Sequence, residues 1–328
     1  ALAGGASSLA VATADEAAQL RAAGITAPVI VLGAVSAEEL PVALAAGAEL
    51  VAWNDRFVAD LASRVGSRGR VAVHVKLDSG MGRLGTRDVG EALVVAKLIR
   101  AHTPELELVG AMTHLATADV DQGFVAEQLA VFGPFADELQ RRFGRLRVHA
   151  ANSAGTLRAP ASHFDMVRCG IALYGCDPMN IDPDRAGLEP ALELTSYVAA
   201  VKRAEPGESV GYGRRFVADR ATWIATLPIG YGDGVRRGLT NNCDVLIAGR
   251  RYPLVGTVSM DNITVDLGPD DPAAMIDVGA TAILIGRSGS ERQTVEDLAN
   301  RLGTINHEVL CGISSRVPRR YHRDGVPA

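Results

Sequence analysis

The sequence predicts an α/β fold, a barrel of the (α/β)8 type in residues 1–187, followed by a mainly-β domain in residues 188–328. Two patterns support this division. Up to about residue 190, short apolar runs alternate with amphipathic helical segments, as in β/α units around a parallel sheet. Beyond that point, short alternating runs are interrupted by Gly, Pro and Asn, which is typical of a β domain. A chain of 328 residues is long enough for both domains.

The first domain contains seven predicted strands. They are residues 8–12, 28–32, 49–53, 71–76, 106–113, 146–150 and 165–174, with helices predicted at residues 15–23, 37–46, 56–65, 89–102 and 124–143. A closed barrel of this type has eight strands. The chain opens on Ala-Leu-Ala-Gly-Gly-Ala, which resembles the end of a helix, so we expect the missing first strand upstream of Ala1. Removal of an initiator methionine would also explain the first residue.

The second domain is predicted from its shorter, alternating runs. Its strands are expected at residues 194–203, 223–227, 244–247, 252–258, 263–267 and 280–285, with a helix at residues 295–302. Residues 176–187, rich in Asp and Pro, are expected to form a linker between the two domains.

The composition excludes several classes of partner. Apolar residues make up 48% of the chain and charged residues 22%, with a net charge of -5, so we expect neither nucleic-acid nor membrane binding. The sequence shows neither an apolar run of about 20 residues nor a signal-type start, and we expect a cytoplasmic protein. The four cysteines are scattered, and no metal-ligand spacing occurs, so neither disulfides nor a metal site is predicted.

Polar residues at the ends of barrel strands are the first candidates for chemistry, because barrel active sites lie there. Alternation in residues 71–78 places His74, Lys76 and Asp78 on one face of a strand, and Arg83 follows shortly after. Burying such a face requires polar partners. A simple Lys76–Asp78 ion pair at the barrel rim is the alternative interpretation.

Later strand ends carry further candidates. His114 follows strand 106–113, although a lone histidine is more often structural. The ends of the last strands carry Asn152, Ser153, Arg168, Gly170 and Ile171. Since barrels commonly bind phosphate there, these residues favour a phosphorylated cofactor or substrate. Neither G-x-G-x-x-G nor G-x-x-x-x-G-K-[ST] occurs, which argues against dinucleotides and nucleoside triphosphates.

Tyr231 stands in Gly230-Tyr231-Gly232-Asp233-Gly234, directly after a predicted strand. Glycines on both sides clear side-chain bulk from around the phenol and favour its presentation to a partner. The alternative is a loop tyrosine that bonds to Asp233.

Nine collinear segments carry a family resemblance across nearly the whole chain. They are Leu9-Ala10-Val11-Ala12-Thr13, Lys76-Leu77-Asp78-Ser79-Gly80-Met81-Gly82-Arg83, Met112-Thr113-His114, Asn152-Ser153-Ala154, Val167-Arg168-Cys169-Gly170-Ile171-Ala172-Leu173-Tyr174-Gly175, Gly230-Tyr231-Gly232-Asp233-Gly234, Ser259-Met260-Asp261, Thr304-Ile305-Asn306-His307-Glu308 and Arg316-Val317-Pro318-Arg319. In these segments the chain resembles bacterial alanine racemases, pyridoxal-phosphate enzymes with an (α/β)8 barrel and a C-terminal β domain.

The resemblance implies roles for the candidate catalytic residues. Tyr231 is similar to a base that acts on one face of the substrate's α-carbon, in the active site of the partner subunit of a homodimer. Arg168 is similar to the arginine that bonds the pyridine nitrogen, and His114 to the group that links it to the tyrosine. Lys76 corresponds to a lysine that is often carbamylated and that orients Arg83 beside the cofactor's phenolic oxygen.

The resemblance also implies how cofactor and substrate are held. Ser153, Gly170 and Ile171 are similar to phosphate ligands, and Asn152 belongs to the same cofactor site. Met260, from the second subunit, is similar to the residue whose amide meets the substrate carboxylate, beside Arg83. His307 stands where the family has a phosphate-contacting tyrosine, and Cys169 where a proline precedes the glycine. We expect these two departures to alter cofactor affinity or the shape of the entryway without abolishing function.

One element of the family pattern is missing. The lysine that anchors the cofactor lies in a K-A-[DN]-A-Y-G-H-G motif on the first barrel strand, and the three lysines here, Lys76, Lys97 and Lys202, all lie in other segments. We expect truncation to explain the absence of both strand and lysine, and we expect this chain alone to be inactive. Three functions follow: racemisation of alanine, supplying D-alanine for peptidoglycan; racemisation or decarboxylation of another amino acid; or cofactor binding without turnover.

Overall fold

The computed structural model describes residues 1–65, 69–270, 276–323 and 326–327. The chain divides into two compact units, Ala1–Leu173 and Tyr174–Ala328. The boundary predicted from the sequence, after residue 187, lies further along the chain.

Six parallel strands form the sheet described in the first unit, and all six were predicted. They are β1 (Leu9–Val11), β2 (Val29–Val31), β3 (Leu50–Ala52), β4 (Val71–Lys76), β5 (Leu106–Met112) and β6 (Arg147–His149). Adjacent strands pair in chain order, and a bridge between Ile30 and Glu49 joins β2 to β3. Parallel pairing brings the C-terminal ends of the strands, where the candidate residues lie, to one edge of the sheet.

A helix follows each of these strands. The helices are α1 (Ala14–Ala22), α2 (Leu40–Ala45), α3 (Asp55–Val65), α4 (Val89–Ala101), α5 (Gln122–Phe143) and α6 (Ser153–Arg158). Side chains cap several of their first turns: Thr13 and Glu16 form a capping box on α1, while Asp88 and Asp121 cap α4 and α5. On α3, Val58, Leu61 and Val65 are buried at helical spacing against the sheet.

The predicted strand at residues 165–174 is wrong. Residues 165–170 are irregular, and Ile171–Tyr174 is a 3-10 helix. Arg168 N donates to Ala151 O at 2.9 Å, so the segment still runs beside the chain that leaves β6. Ser153 Oγ accepts hydrogen bonds from the amides of Gly170 and Ala172, which turns the chain away from a strand ladder. Helix α6, which the sequence analysis did not predict, begins at this serine.

The second unit is mainly β, as predicted. Its strands are β7 (Leu194–Tyr197), β8 (Ala200–Ala204), β9 (Ser209–Val210), β10 (Phe216–Val217), β11 (Thr222–Leu227), β12 (Asp244–Ile247), β13 (Arg250–Pro253), β14 (Ile263–Gly268), β15 (Thr281–Ser288), β16 (Glu291–Gln293), β17 (His322–Arg323) and β18 (Val326–Pro327). One sheet has the order β14-β11-β8, and another has β13-β12-β15-β16 with β7 on β15.

Three predictions for the second unit need correction. Residues 194–203 form two strands, β7 and β8, in different sheets. The strand predicted at residues 252–258 ends at Pro253, because Gly256 takes a φ of +79° that a regular strand does not accommodate. Residues 176–187 are not a free linker: Asp177 is fully buried and its amide donates to Glu296 Oε1 at 2.9 Å.

In the part of the second unit that the structure describes, the α-helices are α7 (Val295–Leu302) and α8 (Asn306–Cys311), and of these α7 was predicted. Among the helices of the described residues, none is both long and apolar enough to cross a membrane. Within the same residues, no group of three or more His, Cys, Asp or Glu side chains could hold a metal ion.

Candidate active site

Asp78 organises the loop that follows β4. Its carboxylate accepts hydrogen bonds from the amides of Gly80, at 3.1 Å, and Gly82, at 3.0 Å, and from Arg87 Nε at 3.3 Å. Burial acts to raise the pKa of Asp78, but these hydrogen bonds outweigh burial and lower it. An ionised Asp78 therefore fixes the turn that leads to Arg83. The alternative of a Lys76–Asp78 ion pair is not what the described residues show, since Asp78 pairs with Arg87.

Lys76 is the last residue of β4 and is only 3% exposed. Burial, followed by repulsion from Arg83 and Arg168, lowers the pKa of its amine to about 8. The electrostatic influence of both arginines indicates that Lys76 lies near them. A substantial fraction of this amine is therefore neutral, and thus nucleophilic, near physiological pH.

His114 follows β5 and is half-buried beside the same cations. Burial and the neighbouring charges, Arg168 foremost, lower the pKa of its imidazole to about 3. His114 is therefore neutral at physiological pH. Its backbone carbonyl accepts a hydrogen bond from Gln128 Nε2 at 3.0 Å, and Gln128 Oε1 accepts one from the amide of Ala116 at 2.8 Å. The fully buried Gln128, on α5, thus fixes the loop that carries His114.

Arg168 connects the ends of β5 and β6. Its Nη2 donates to the carbonyl oxygens of Thr113, at 2.9 Å, and Ala150, at 3.0 Å, and to Nδ1 of His114 at 3.2 Å. Its Nη1 donates to Nδ1 of His149 at 2.8 Å. Its Nε is buried and has no hydrogen-bond partner among the described residues. An unpaired buried N–H is costly, so this atom marks the place where an acceptor is expected.

Arg168 determines the tautomers of both histidines. A guanidinium only donates hydrogen bonds, so Nδ1 of His114 and Nδ1 of His149 must both be acceptors. Each imidazole then carries its proton on Nε2. Burial lowers the pKa of Arg168 to about 10, which leaves it protonated at neutral pH. Sequence analysis did not identify His149 as a functional residue, although a histidine within an apolar parallel strand was a detectable signal.

The candidate phosphate ligands lie around the start of α6. Ser153 is buried, and its Oγ accepts from the amide of Gly170 at 2.9 Å. Ile171 is the first residue of the 3-10 helix that follows. Asn152 caps α6, because its Oδ1 accepts from the amide of Gly155 at 2.9 Å. Ser153 and Gly170 are thus in direct contact, and Asn152 holds the first turn of α6.

Tyr231 and Met260 come together in the second unit. The amide of Tyr231 donates to Ser259 O, and the amide of Gly232 donates to Met260 O, each at 2.9 Å. A Cβ at Gly230 would lie 2.3 Å from Ser259 O, so only glycine allows this approach. The side chains of Tyr231 and Met260 are 43% and 52% exposed. The close approach at Gly230 therefore brings an exposed phenol and an exposed thioether together from two paired loops.

The alternative interpretation was a loop tyrosine that bonds to Asp233. In the structure, Asp233 instead stabilises the loop through other hydrogen bonds. Its Oδ2 accepts from the amide of Gly230 at 2.8 Å, and its Oδ1 accepts from Arg316 Nε at 2.7 Å. His307 lies on α8, also in the second unit, and is exposed. The remaining candidates, Arg83 included, all belong to the first unit.

Comparison with known proteins identifies the family. The family model of the alanine racemase N-terminal domain matches residues 1–178, and that of the C-terminal domain matches residues 191–321. An alanine racemase of Halalkalibacterium halodurans is 40% identical over 99% of this chain and 84% of its own length. That of Geobacillus kaustophilus is 41% identical over 99% of this chain and 83% of its own.

Solved structures agree. Alanine racemase from Streptomyces coelicolor superposes with a TM-score of 0.90 at 31% identity, covering 97% of this chain and 85% of that one. The enzyme from Bacillus anthracis, solved with bound L-Ala-P, gives 0.88 at 38% identity, covering 99% and 84%. These similarities confirm the predicted fold class, an α/β barrel followed by a mainly-β domain. The chain belongs to the alanine racemase family.

Proposed function

We propose that this protein interconverts L-alanine and D-alanine with pyridoxal phosphate as its cofactor, supplying D-alanine for peptidoglycan. One observation carries the proposal: the buried Nε of Arg168, which lacks a partner among the described residues while both Nη atoms are held by carbonyl and imidazole acceptors. This N–H suits an unprotonated pyridine nitrogen. The names of the relatives supply the substrate, since they are alanine racemases.

The residues present fit the non-covalent part of a pyridoxal phosphate site. Ser153 Oγ and the amide of Ile171 would hold the phosphate at the start of a helix, joined by the amide of Gly170 once it turns from Ser153 Oγ to the phosphate, and Asn152 would keep that helix in place. We propose His307 as a further phosphate donor. Bound pyridoxal phosphate supplies an electron-withdrawing ring that acidifies the α-hydrogen of an amino acid.

Arg168 governs what that ring can do. A guanidinium keeps its proton, so Arg168 would donate a hydrogen bond to a pyridine nitrogen bound beside it and would leave that nitrogen unprotonated. In this way Arg168 would weaken the ring as an electron sink, which would favour return of a proton to the α-carbon over transamination. His114, neutral with its proton on Nε2, can donate a hydrogen bond towards a phenolate without adding a positive charge.

We further propose a homodimer in which Tyr231 and Met260 of one copy complete the active site of the other. The exposed phenol would be the base for one face of the α-carbon, the Met260 amide would meet the substrate carboxylate, and Arg83 would contact substrate and cofactor oxygens. Four free cysteines, with none paired among the described residues, are consistent with a reducing cytoplasmic location.

Lys76 should become carbamylated when carbon dioxide is present. Its amine, with a pKa of about 8, is largely neutral above that pH and can add carbon dioxide with release of a proton. The resulting anion would be attracted by the nearby cations of Arg83 and Arg168, which would stabilise it. With 13C-bicarbonate at pH 8.5, we expect a carbamate NMR signal from Lys76 that weakens as the pH falls below about 8.

Two variants assign this signal. Lys76→Gln should abolish it, while Lys97→Gln, at an exposed position on α4, should retain it. Absence of the signal in the wild-type chain, or its loss in the Lys97 variant, would refute the assignment.

The lysine pattern favours a second candidate function. Lys97 and Lys202 are exposed on α4 and β8, and Lys76 is buried among arginines, so none is placed as the cofactor-anchoring lysine of the family. A chain without that lysine also lacks the second base. A cofactor-binding protein without turnover is therefore the alternative to an enzyme.

Binding of reduced cofactor–amino acid adducts tests the proposed function without requiring turnover. Phosphopyridoxyl-alanine, phosphopyridoxyl-serine and phosphopyridoxyl-lysine would be compared by isothermal titration calorimetry on the chain. We expect the alanine adduct to bind at least about tenfold more tightly than the others, since each mismatched group in a built pocket costs about 1–3 kcal/mol. Tighter binding of the serine or lysine adduct would favour another amino-acid racemase or a decarboxylase. Equal binding of all three would favour the non-catalytic alternative.

A further inference from the structure

A chain of buried polar groups runs through the first unit from Arg168 to Glu49. Nη1 of Arg168 lies 2.8 Å from Nδ1 of His149, whose Nε2 lies 3.0 Å from Nδ1 of His74. Nε2 of His74 lies 2.8 Å from Oε2 of Glu49. Both imidazoles are 0% exposed. Glu49 directly precedes β3, so this series of hydrogen bonds links the active-site end of β6 to the start of β3.

Every bond in this chain has a fixed direction. Arg168 donates to Nδ1 of His149, so His149 carries its proton on Nε2 and donates to Nδ1 of His74. His74 then carries its proton on Nε2 and donates to the carboxylate of Glu49. Burial is the first cause that lowers the pKa of both histidines, which keeps both rings neutral. The guanidinium and the carboxylate are thus joined by two neutral rings with defined tautomers.

The surrounding backbone is shaped to hold these rings. A Cβ at Gly110, on β5, would lie 2.1 Å from Nδ1 of His74 and 2.7 Å from the carbonyl oxygen of Arg147. Glycine therefore leaves the space that the His74 ring occupies. The pairing of β4 with β5 also shifts register between Val73 and His74. Arg147 Nη2 donates to the same Glu49 oxygen at 2.5 Å and keeps that carboxylate in place.

Proton transfer along the chain is not its function. Moving a proton from Arg168 to Glu49 would oppose a pKa of about 10 at the guanidinium. It would also oppose a lowered pKa at the Glu49 carboxylate, where burial acts to raise the pKa but the hydrogen bond from His74 and the charge of Arg147 outweigh it. The proton therefore stays on Arg168. The chain therefore fixes orientation.

We propose that Glu49 is a positioning residue: through His74 and His149 it holds the guanidinium of Arg168 so that its Nε faces the cofactor's ring nitrogen. The contact between Arg168 Nε and the cofactor's ring nitrogen rests on the proposed function. The histidine chain, meaning the hydrogen bonds from Arg168 through His149 and His74 to Glu49, does not. What matters most in Glu49 is the length of its side chain, its reach, because the carboxylate oxygen must come within hydrogen-bond distance of Nε2 of His74. Its charge is the lesser contribution, because a cavity of about 760 Å³ adjoins Glu49 and Arg147 pairs with it.

Three substitutions separate reach from charge. Glu49→Gln keeps an oxygen at the same distance and removes the charge, so we expect wild-type behaviour. Glu49→Asp keeps the charge but is one methylene shorter, so we expect it to behave like Glu49→Ala. Glu107→Gln, in an ion pair with Arg70 on the same sheet, serves as the matched control and should change nothing. Circular dichroism checks that each variant folds; if Glu49→Ala does not, the Asp and Gln variants carry the test.

The first measurement is NMR of chains labelled with 15N-histidine, without any cofactor. The wild-type chain should show a slowly exchanging, downfield proton on Nε2 of His149. This proton is bonded to His74, which in turn is bonded to Glu49. Glu49→Ala and Glu49→Asp should lose this signal, and Glu49→Gln should retain it. An unchanged signal in the Ala and Asp variants would overturn the proposal. Retention in Asp with loss in Gln would overturn it as well, because charge would then be the cause.

The second measurement compares the affinities of pyridoxal phosphate and its 1-deaza analogue, which lacks the ring nitrogen. Their ratio isolates the contact with Arg168, which a general loss of structure would not change selectively. We expect this ratio to fall about tenfold in Glu49→Ala and Glu49→Asp, and by less than about twofold in Glu49→Gln. An unchanged ratio in all variants would overturn the positioning role. The wild-type chain could bind pyridoxal phosphate and its 1-deaza analogue equally while the His149 signal still responds to the Glu49 substitutions as expected. That result would refute the proposed function and leave the histidine chain supported.

Discussion

With pyridoxal phosphate in D2O, this chain should exchange the α-hydrogen of only one alanine enantiomer and should not racemise either. Racemisation requires a base on each face of the α-carbon, and Tyr231 is the one base of the family's pair that we propose for this chain. A positioned general base contributes about 10²–10⁴-fold to proton transfer, so the face without a base should exchange slower by that factor. Exchange is followed by NMR of the α-hydrogen, and racemisation by chiral chromatography.

Tyr231→Phe is the decisive control, because it removes the hydroxyl and leaves the exposed ring in place. It should reduce exchange to the rate of free cofactor, whereas Tyr321→Phe, at an exposed tyrosine outside this loop and without flanking glycines, should have no effect. Borohydride reduction should leave Lys76, Lys97 and Lys202 without a cofactor label. Equal exchange of both enantiomers, or racemisation with a labelled lysine, would contradict the two-base account and the predicted inactivity of this chain.

Gly230→Ala should destabilise the second unit by about 3 kcal/mol or more and abolish the exchange that depends on Tyr231. The added Cβ would lie 2.3 Å from Ser259 O and 2.4 Å from Met260 O. Both are backbone atoms of the segment that pairs with the Tyr231 loop, so a side-chain rotation cannot relieve the overlap. Urea denaturation followed by tryptophan fluorescence, with Trp223 on adjacent β11, measures the change.

Gly4→Ala is the matched control. Gly4 lies in the 3-10 helix Leu2–Gly4 without a positive φ, and a Cβ added there would meet no atom within 4 Å, so alanine should be neutral or stabilise by up to about 1 kcal/mol. Equal stabilities of the Gly230 and Gly4 variants would show that the loop adapts, and that the close approach to Ser259 does not require glycine.

The sequence predicted the regular parts of the fold because local patterns determine them. Strand β4 matches its prediction, and helix α7 has a capping box at Thr294 that agrees with its predicted start. The strand predicted at residues 165–174 is absent for a non-local reason: the amides of Gly170 and Ala172 donate hydrogen bonds to Ser153 Oγ instead of to a neighbouring strand. An apolar sequence run does not reveal that contact.

The candidate site was predicted by resemblance more than by pattern. Motifs identified Lys76, Arg168 and Tyr231, yet they did not identify His149 or Glu49, which precede or end short strands far apart in the sequence. Parallel pairing in chain order brings them within reach of His74. Only the three-dimensional arrangement shows that Arg168 dictates the tautomers of both neighbouring histidines.

The protonation state of the bound cofactor's ring nitrogen tests the central claim most directly. With 15N-labelled pyridoxal phosphate bound to the chain, we predict an NMR shift of an unprotonated, hydrogen-bonded nitrogen between pH 6 and 9, because Arg168 keeps its proton. Arg168→Glu should convert this nitrogen to the protonated form. A protonated nitrogen in the wild-type chain, unchanged by Arg168→Glu, would contradict the assignment of Arg168 as the residue that faces the ring.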